Sequence, residues 1–79
     1  KKNVVLALNE IVYIESQKEY IKIQSTTKSY LSKYALSKIE EELDPAFFLR
    51  VHRSFIINLQ HLKSFNAQEI EVLGMIIPI

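Results

Sequence analysis

The stretch FLRVHRSFIIN, Phe48–Asn58, places two arginines and a histidine inside a run of large apolar residues. Arg50, His52 and Arg53 are flanked so closely by apolar neighbours that they should lie at a turn or rim held rigid by the core. The planar, permanently charged guanidinium group suits phosphate oxygens and the acceptor edge of guanine. Two such groups on a rigid rim suggest recognition of an anion, and nucleic acid is the first partner to test.

The chain has 79 residues, which is close to the lower limit at which a single core supports a fold. We therefore predict one domain over residues 1–79, with room for a binding surface but little for a deep enzymatic cleft. Because the chain contains no cysteine, a disulfide framework or a thiolate metal site is impossible, and the cytoplasm is the expected location. No apolar run approaches the roughly 20 residues that cross a bilayer, so no membrane partner is expected.

Charge is distributed unevenly, although the formal net charge is only +1. Residues 18–38 carry five lysines and one glutamate, and residues 46–66 carry two arginines and one lysine without an acid. Many of the compensating acids are gathered at Glu40, Glu41, Glu42 and Asp44. A basic edge opposite an acidic helix would orient a polyanion, although ordinary solvated faces would produce the same pattern.

Strand signals dominate the chain, and the connectors are short. Alternation of apolar and polar residues is clearest over residues 20–24, and residues 15–19 form a polar connector of hairpin length. Helical spacing of Leu36, Ile39 and Leu43 predicts one helix that ends before Asp44 and Pro45. We therefore predict a mainly β fold of small antiparallel sheets, arranged as a meander, with one short α-helix around residues 34–43. The predicted strands are 11–14, 20–24, 29–31, 48–51, 62–65, 69–73 and 75–79, with a bend at 52–54 followed by an apolar run to residue 57, and Gly74 turns the last hairpin.

Catalysis is not favoured by the residues present. His52 and Ser54 could face one side of a strand, but neither an oxyanion turn nor a neighbouring aspartate joins them. We interpret His52 as a structural residue bonded to backbone at the bend, and His61 as exposed. Two histidines nine positions apart, without cysteine, do not form a recognisable metal site. We expect no enzymatic activity, no catalytic residue, no bound metal, no cofactor and no small-molecule substrate.

Most of the eight aromatic side chains should lie in the core of so small a domain. Phe47, Phe48, Phe55 and Tyr13 all lie in apolar runs. Tyr20 is the one candidate for an exposed platform on which single-stranded nucleic acid could stack. Even at that position, burial is the favoured interpretation.

Four motifs occur along the chain in a characteristic order. They are YIES at 13–16 with a tyrosine five positions after Glu15, a helix ending in EEL at 41–43, FLRVHRSFIIN at 48–58, and a final hairpin ending in G-x-x-IPI at 74–79. Together they resemble the LytTR-type DNA-binding domain of bacterial response regulators. The resemblance implies an antiparallel β fold whose loops enter successive major grooves. It also implies homodimers on directly repeated DNA elements, and a longer chain with an N-terminal receiver domain and further residues after Ile79.

The resemblance also implies which residues contact DNA. The connector after YIES corresponds to Gln17, Lys18 and Glu19, with Lys22 just beyond it. The segment between RV and SF corresponds to Arg50 and Arg53, and Arg53 is at the position expected to reach a base edge. A third contact, from a basic residue, is implied shortly after Ile79. Lys18, Lys22 and Arg50 would act on phosphates, although Arg50 could instead turn inward and pair with Glu15 or Asp44.

We therefore expect sequence-specific binding of double-stranded DNA by the output domain of a two-component transcriptional regulator. The modest net charge leaves open a protein-interaction or dimerisation module on the same scaffold. Binding of single-stranded RNA on an open sheet is a third hypothesis, and it would require exposed aromatic side chains.

Overall fold

The computed structural model describes residues 7–79, and their fold is mainly β with one short helix, as predicted. Residues 1–6, which the predicted 1–79 domain includes, lie outside the described residues. No helix within 7–79 is long and apolar enough to cross a membrane. In chain order the elements are a 3-10 helix Leu8–Glu10, β1 Ile11–Gln17, β2 Tyr20–Ser25, β3 Ser29–Ser32, α1 Leu36–Glu42, β4 Phe48–His52, β5 Phe55–Asn58, a 3-10 helix Leu59–His61, β6 Leu62–Phe65, β7 Glu69–Val72 and β8 Met75–Pro78.

The strands form two antiparallel sheets. A five-stranded sheet has the order β3-β2-β1-β5-β4, and a three-stranded sheet has the order β6-β7-β8; we call them the large and the small sheet. The small sheet is the predicted meander, but the large sheet is only partly one. Because α1 connects β3 to β4, the chain returns on the other side of β1, and β5 rather than β4 pairs with β1.

The core consists of two clusters, one on each face of the large sheet. Side chains on successive strand positions point to opposite faces, so Ile56 lies in one cluster and Ile57 in the other. A register shift between Ile11 and Tyr13 disturbs the alternation in β1, and both Ile11 and Ile14 pack on the helix side. The helix-side cluster contains Ile11, Ile14, Ile21, Leu36, Phe48 and Ile56, and the cluster shared with the small sheet contains Val12, Tyr13, Ile57, Ile70, Val72 and Ile77.

Helix α1 is shorter than the predicted 34–43, and it depends on tertiary contacts. Ala35 precedes it without a side-chain cap, so its first backbone N–H groups gain no local partner from that residue. Leu36 is buried in the helix-side cluster, and Ile39 packs against it. The Tyr34 hydroxyl donates a hydrogen bond to the Glu42 carboxylate, and this contact raises the pKa of Tyr34.

The strand predictions differ from the structure at the first hairpin. The expected five-residue connector over 15–19 is wrong: the turn contains only Lys18 and Glu19, and Gln17 pairs with Tyr20. The polar residues before the turn continue β1, because the end of a hairpin extends beyond the apolar core and needs no apolar side chains. The last hairpin turns at Gly74 as predicted, with φ of 44° at Leu73 and 82° at Gly74.

Three side chains are not where the sequence indicated. Phe47 is 45% exposed and Tyr20 is 46% exposed, although burial was favoured for both. Phe47 lies in the turn that begins at Asp44. The Asp44 carbonyl accepts hydrogen bonds from the N–H groups of both Phe47 and Phe48. Of these two phenylalanines, only Phe48 is buried in the core. His61 is half-buried rather than exposed, and its Nε2 lies 2.7 Å from the backbone oxygen of Asn9.

Candidate nucleic-acid interface

Two turns meet side by side at one end of the large sheet. They are the β1–β2 turn, residues 18–19, and the β4–β5 turn, residues 53–54. Because β1 and β5 are antiparallel neighbours, the end of β1 lies next to the start of β5, and Glu15 pairs with Phe55. The Ser16 N–H donates a 2.8 Å hydrogen bond to the Ser54 carbonyl. The fold thus brings together two segments that are 35 positions apart in the chain, and we call this end of the sheet the turn edge.

Lys18 occupies a backbone conformation that is unusual for a side chain with a Cβ. It is the first residue of a two-residue turn, and its φ is 58°. Tight hairpins need positive φ at this position to match the twist of their strands, and glycine adopts it most easily. The chain carries an exposed lysine there instead. Because strained backbone conformations are common at functional sites, the Lys18 side chain is a candidate for a functional role.

Glu19, the second residue of this turn, has a neighbour of opposite charge. Its carboxylate lies 3.7 Å from the Nζ of Lys33, and both side chains are about three-quarters exposed. An ion pair so open to water contributes little to stability. Loss of the contact with Lys33 would therefore cost little, and the Glu19 carboxylate could accept a hydrogen bond from another donor.

Lys22 lies on the broad face of the large sheet rather than in the turn. It pairs with Glu15 on one side and Leu31 on the other. Its Nζ is 5.8 Å from the centroid of the Tyr13 ring, and the side chain is half-buried. The aromatic face attracts the ammonium group and limits where it can reach.

Arg53 is the exposed side chain of the β4–β5 turn. Within residues 7–79, its guanidinium has neither a hydrogen-bond partner nor an ion pair. The turn beneath it is held by His52, whose Nδ1 accepts a 3.1 Å hydrogen bond from the Ser54 N–H. The His52 ring also packs edge-on against Phe55, with centroids 5.8 Å apart. The structural interpretation of His52 is confirmed, and the turn presents Arg53 to solvent from a supported backbone.

Unlike that of Arg53, the guanidinium of Arg50 makes hydrogen bonds and an ion pair. Its Nη1 lies 3.0 Å from Oε1 of Glu40 on helix α1. Its Nε donates to the His52 carbonyl at 3.4 Å, and its Nη2 donates to the Arg53 carbonyl at 2.5 Å. The inward pairing considered for Arg50 does occur, but its partner is Glu40 rather than Glu15 or Asp44.

Sequence reasoning missed Glu40 as a partner of the turn edge. The sequence placed it among the acids of the helix, with nothing to distinguish it from Glu41 and Glu42. A signal was present in the strand pattern, because alternation from the buried Phe48 puts Arg50 on the helix side of β4. Within the described residues 7–79, no group of three or more histidine, aspartate or glutamate side chains could hold a metal ion.

Comparison with known proteins gives a consistent set of similarities. Residues 1–74 match the family model described as the LytTr DNA-binding domain. The chain is 36% identical over 59 residues to the CO-responsive transcriptional regulator RcoM of Rhodospirillum rubrum, covering 75% of this chain and 25% of that protein. It is also 36% identical over 59 residues to the transcriptional regulatory protein LytR of Staphylococcus aureus strain MW2, covering 75% and 24%. The chain thus spans about a quarter of the length of these curated relatives.

A solved structure has the same architecture. The LytTr DNA-binding domain of a Bacillus cereus response regulator superposes with a TM-score of 0.83, and the match covers 92% of this chain and 72% of the other. Sequence identity in that comparison is 24%. The similarity therefore concerns the fold.

Proposed function

Because this chain belongs to the LytTR family of DNA-binding domains, we propose that it binds double-stranded DNA sequence-specifically as the output domain of a bacterial transcriptional regulator. The family is one of DNA-binding domains rather than of enzymes. The observation that carries the proposal is the turn edge, where an exposed lysine and an exposed arginine project from two adjacent, backbone-linked turns.

Each side chain of the turn edge has a role that suits its chemistry. Arg53 can reach the O6 and N7 acceptors of guanine in the major groove, and Glu19 can accept a hydrogen bond from the amino group of cytosine. Lys18 and Lys22 supply flexible point charges for phosphate oxygens. Support for these roles comes from exposure and position. Arg53, Lys18 and Glu19 are exposed at the end of the sheet, and Lys22 is the third residue of β2, the strand that follows the β1–β2 turn.

The regulatory context forms a further part of the proposal. We propose that a receiver domain precedes this domain in a two-component response regulator of the bacterial cytoplasm, and that a basic contact follows Ile79. Two copies would bind directly repeated elements as a homodimer. The names of similar proteins support a regulatory role, since one is a response regulatory protein of Vibrio cholerae with 30% identity over 59 residues. Another is the CO-responsive regulator, so a gas-sensing domain is the alternative to a receiver.

Replacement of Arg53 by alanine tests the proposed base contact. The probes are a duplex selected by this chain from a random pool, a scrambled duplex of equal length, and the corresponding single strands. We expect the wild-type chain to prefer the selected duplex, and Arg53→Ala to lose about 1–3 kcal/mol of that preference, in addition to a smaller loss of affinity for both duplexes that follows from the removed charge. Mobility shifts at two salt concentrations measure both quantities.

The same measurements distinguish the alternatives. Equal affinity of the wild-type chain for selected and scrambled duplex would contradict sequence-specific binding. Preference for the single strands would favour the RNA-binding hypothesis, with Tyr20 as a stacking platform. Absence of binding to all probes, with self-association in solution, would favour a dimerisation module. Arg53→Lys is the matched control, because it keeps the charge but lacks the planar fork.

A further inference from the structure

We propose that Arg50 is a positioning residue which, together with Glu40, fixes the β4–β5 turn so that Arg53 can read DNA. Arg50 then makes no DNA contact of its own. The inference rests on the proposed function, because it concerns how the turn edge is held for that function. It assigns a role in DNA recognition to helix α1, an element that lies outside the turn edge.

The guanidinium of Arg50 has three partners, one each in strand β4, the β4–β5 turn and helix α1. It bonds the carbonyls of His52 and Arg53, which are the last residue of β4 and the first residue of the turn. Its remaining terminal nitrogen binds the Glu40 carboxylate of helix α1 at 3.0 Å. A planar fork with five N–H donors can hold three acceptors in fixed directions, whereas a lysine ammonium on a flexible stem cannot. The contacts therefore link the helix to the backbone of the turn.

A β-bulge explains how Arg50 reaches the turn that follows its own strand. Arg50 pairs with Ile56 and His52 pairs with Phe55, so the register shifts between Arg50 and His52. Bulges bend a strand and redirect its side chains. Because Ile56 faces the helix-side cluster, its partner Arg50 faces the helix as well. The bend then brings the carbonyls of residues 52 and 53 within reach of the same side chain.

Burial of the pair is consistent with a structural role. The Arg50 side chain is 26% exposed and that of Glu40 is 46% exposed, compared with about three-quarters for the Lys33–Glu19 pair. A phosphate contact would require Arg50 either to use the two N–H groups that these three contacts leave over or to give up Glu40. Arg53 meets no such requirement, because it is already exposed and its guanidinium has no partner within residues 7–79.

The two possible roles of Arg50 predict opposite effects of removing Glu40. If Arg50 contacts phosphate, Glu40→Gln releases a cation and removes a nearby negative charge, and affinity should rise for every duplex. If Arg50 positions the turn, the same change loosens Arg50, and preference for the selected duplex should fall. Glu41→Gln is the matched control, because it changes the same charge on the same helix at a side chain that makes no hydrogen bond or ion pair within residues 7–79.

The experiment compares Glu40→Gln, Arg50→Lys and Glu41→Gln in the wild-type chain and in an Arg53→Ala background. Affinities for selected and scrambled duplexes are measured at one salt concentration, and thermal unfolding checks the fold. We expect Glu40→Gln and Arg50→Lys to lower the preference about threefold to tenfold. We expect Glu41→Gln to leave it unchanged, and no variant to lower the preference further once Arg53 is absent.

Amide exchange gives a readout that does not depend on DNA. If Arg50 holds the turn, Arg50→Lys should speed exchange at the Ser54 amide, which bonds His52, and at the Ser16 amide, which bonds the Ser54 carbonyl. The inference would be overturned if Glu40→Gln raised affinity for both duplexes, or if Arg50→Lys kept wild-type preference and exchange. A wild-type chain that does not discriminate between duplexes would instead remove the proposed function, and the positioning role of Arg50 with it.

Discussion

Asn58 illustrates how much a single buried polar side chain contributes to this small fold. It is fully buried, and its amide group makes three hydrogen bonds to backbone. Its Nδ2 donates to the carbonyls of Ile11 and Leu8 at 2.8 and 3.3 Å, and its Oδ1 accepts from the Gln60 N–H at 2.9 Å. The side chain thus ties the end of β5 to the start of β1, which supports the strand pair that carries the turn edge.

Replacement of Asn58 by aspartate should therefore destabilise the protein more than replacement by alanine at neutral pH. A carboxylate would face two carbonyl oxygens without a proton to donate, whereas alanine removes the group altogether. We expect a loss of about 2–4 kcal/mol in the free energy of unfolding for Asn58→Ala, and a larger loss for Asn58→Asp. The difference should shrink in acid, where the carboxyl group can donate again. Urea titrations at two pH values measure it, and equal stability of both variants at neutral pH would contradict the role of Nδ2 as donor.

At the residue scale, sequence reasoning worked where a side chain's role follows from its immediate neighbours. His52 was correctly interpreted as structural because no catalytic partner lies near it in the chain. The pairing of Arg50 with Glu40 was not predictable in the same way. It depends on a register shift within one strand and on where a helix ten positions earlier lies against the sheet.

At the scale of elements, the hairpins were predicted better than their ends. Alternation over 20–24 gave β2 its correct faces, with Ile21 buried and Ile23 packed against the same cluster. The polar end of β1 was missed, because residues 15–17 carry no apolar alternation although they pair with β2. These residues form the part of the hairpin that extends beyond the core and ends in the β1–β2 turn of the turn edge.

The β1–β2 turn yields a prediction that separates stability from function. Lys18→Gly should relieve the strain of a positive φ and stabilise the protein by about 0.5–1 kcal/mol, whereas Lys18→Ala keeps the strain. Both changes remove one charge, so both should weaken binding to any duplex and reduce the salt slope by about 1. Thermal unfolding and salt titrations of binding measure the two effects. A glycine variant that binds DNA as well as the wild-type chain would show that Lys18 makes no phosphate contact.

At the scale of the whole molecule, charge and shape set limits on binding by a single copy. The net charge is +1, and the turn edge offers only a few cations to phosphates. Counterion release by so few contacts gives weak non-specific affinity. The principal extents are 41 × 23 × 21 Å, so the long dimension exceeds one turn of DNA, about 34 Å. In the proposed homodimer, the second copy would supply the further phosphate contacts that one copy lacks.

Phasing of two binding elements tests this proposed arrangement. Two copies on directly repeated elements separated by whole helical turns lie on the same side of the duplex and can contact each other. Insertion of about 5 base pairs rotates one copy to the opposite side, and insertion of about 10 restores the arrangement. We expect the first insertion to abolish cooperative binding, with about a tenfold loss in affinity for the second copy, and the longer insertion to recover most of it. Mobility-shift titrations of the three duplexes measure this, with a single-element duplex as the control. Binding of the second copy that does not depend on spacing would contradict a homodimer on DNA, because independent copies respond only to the number of elements and not to their phase.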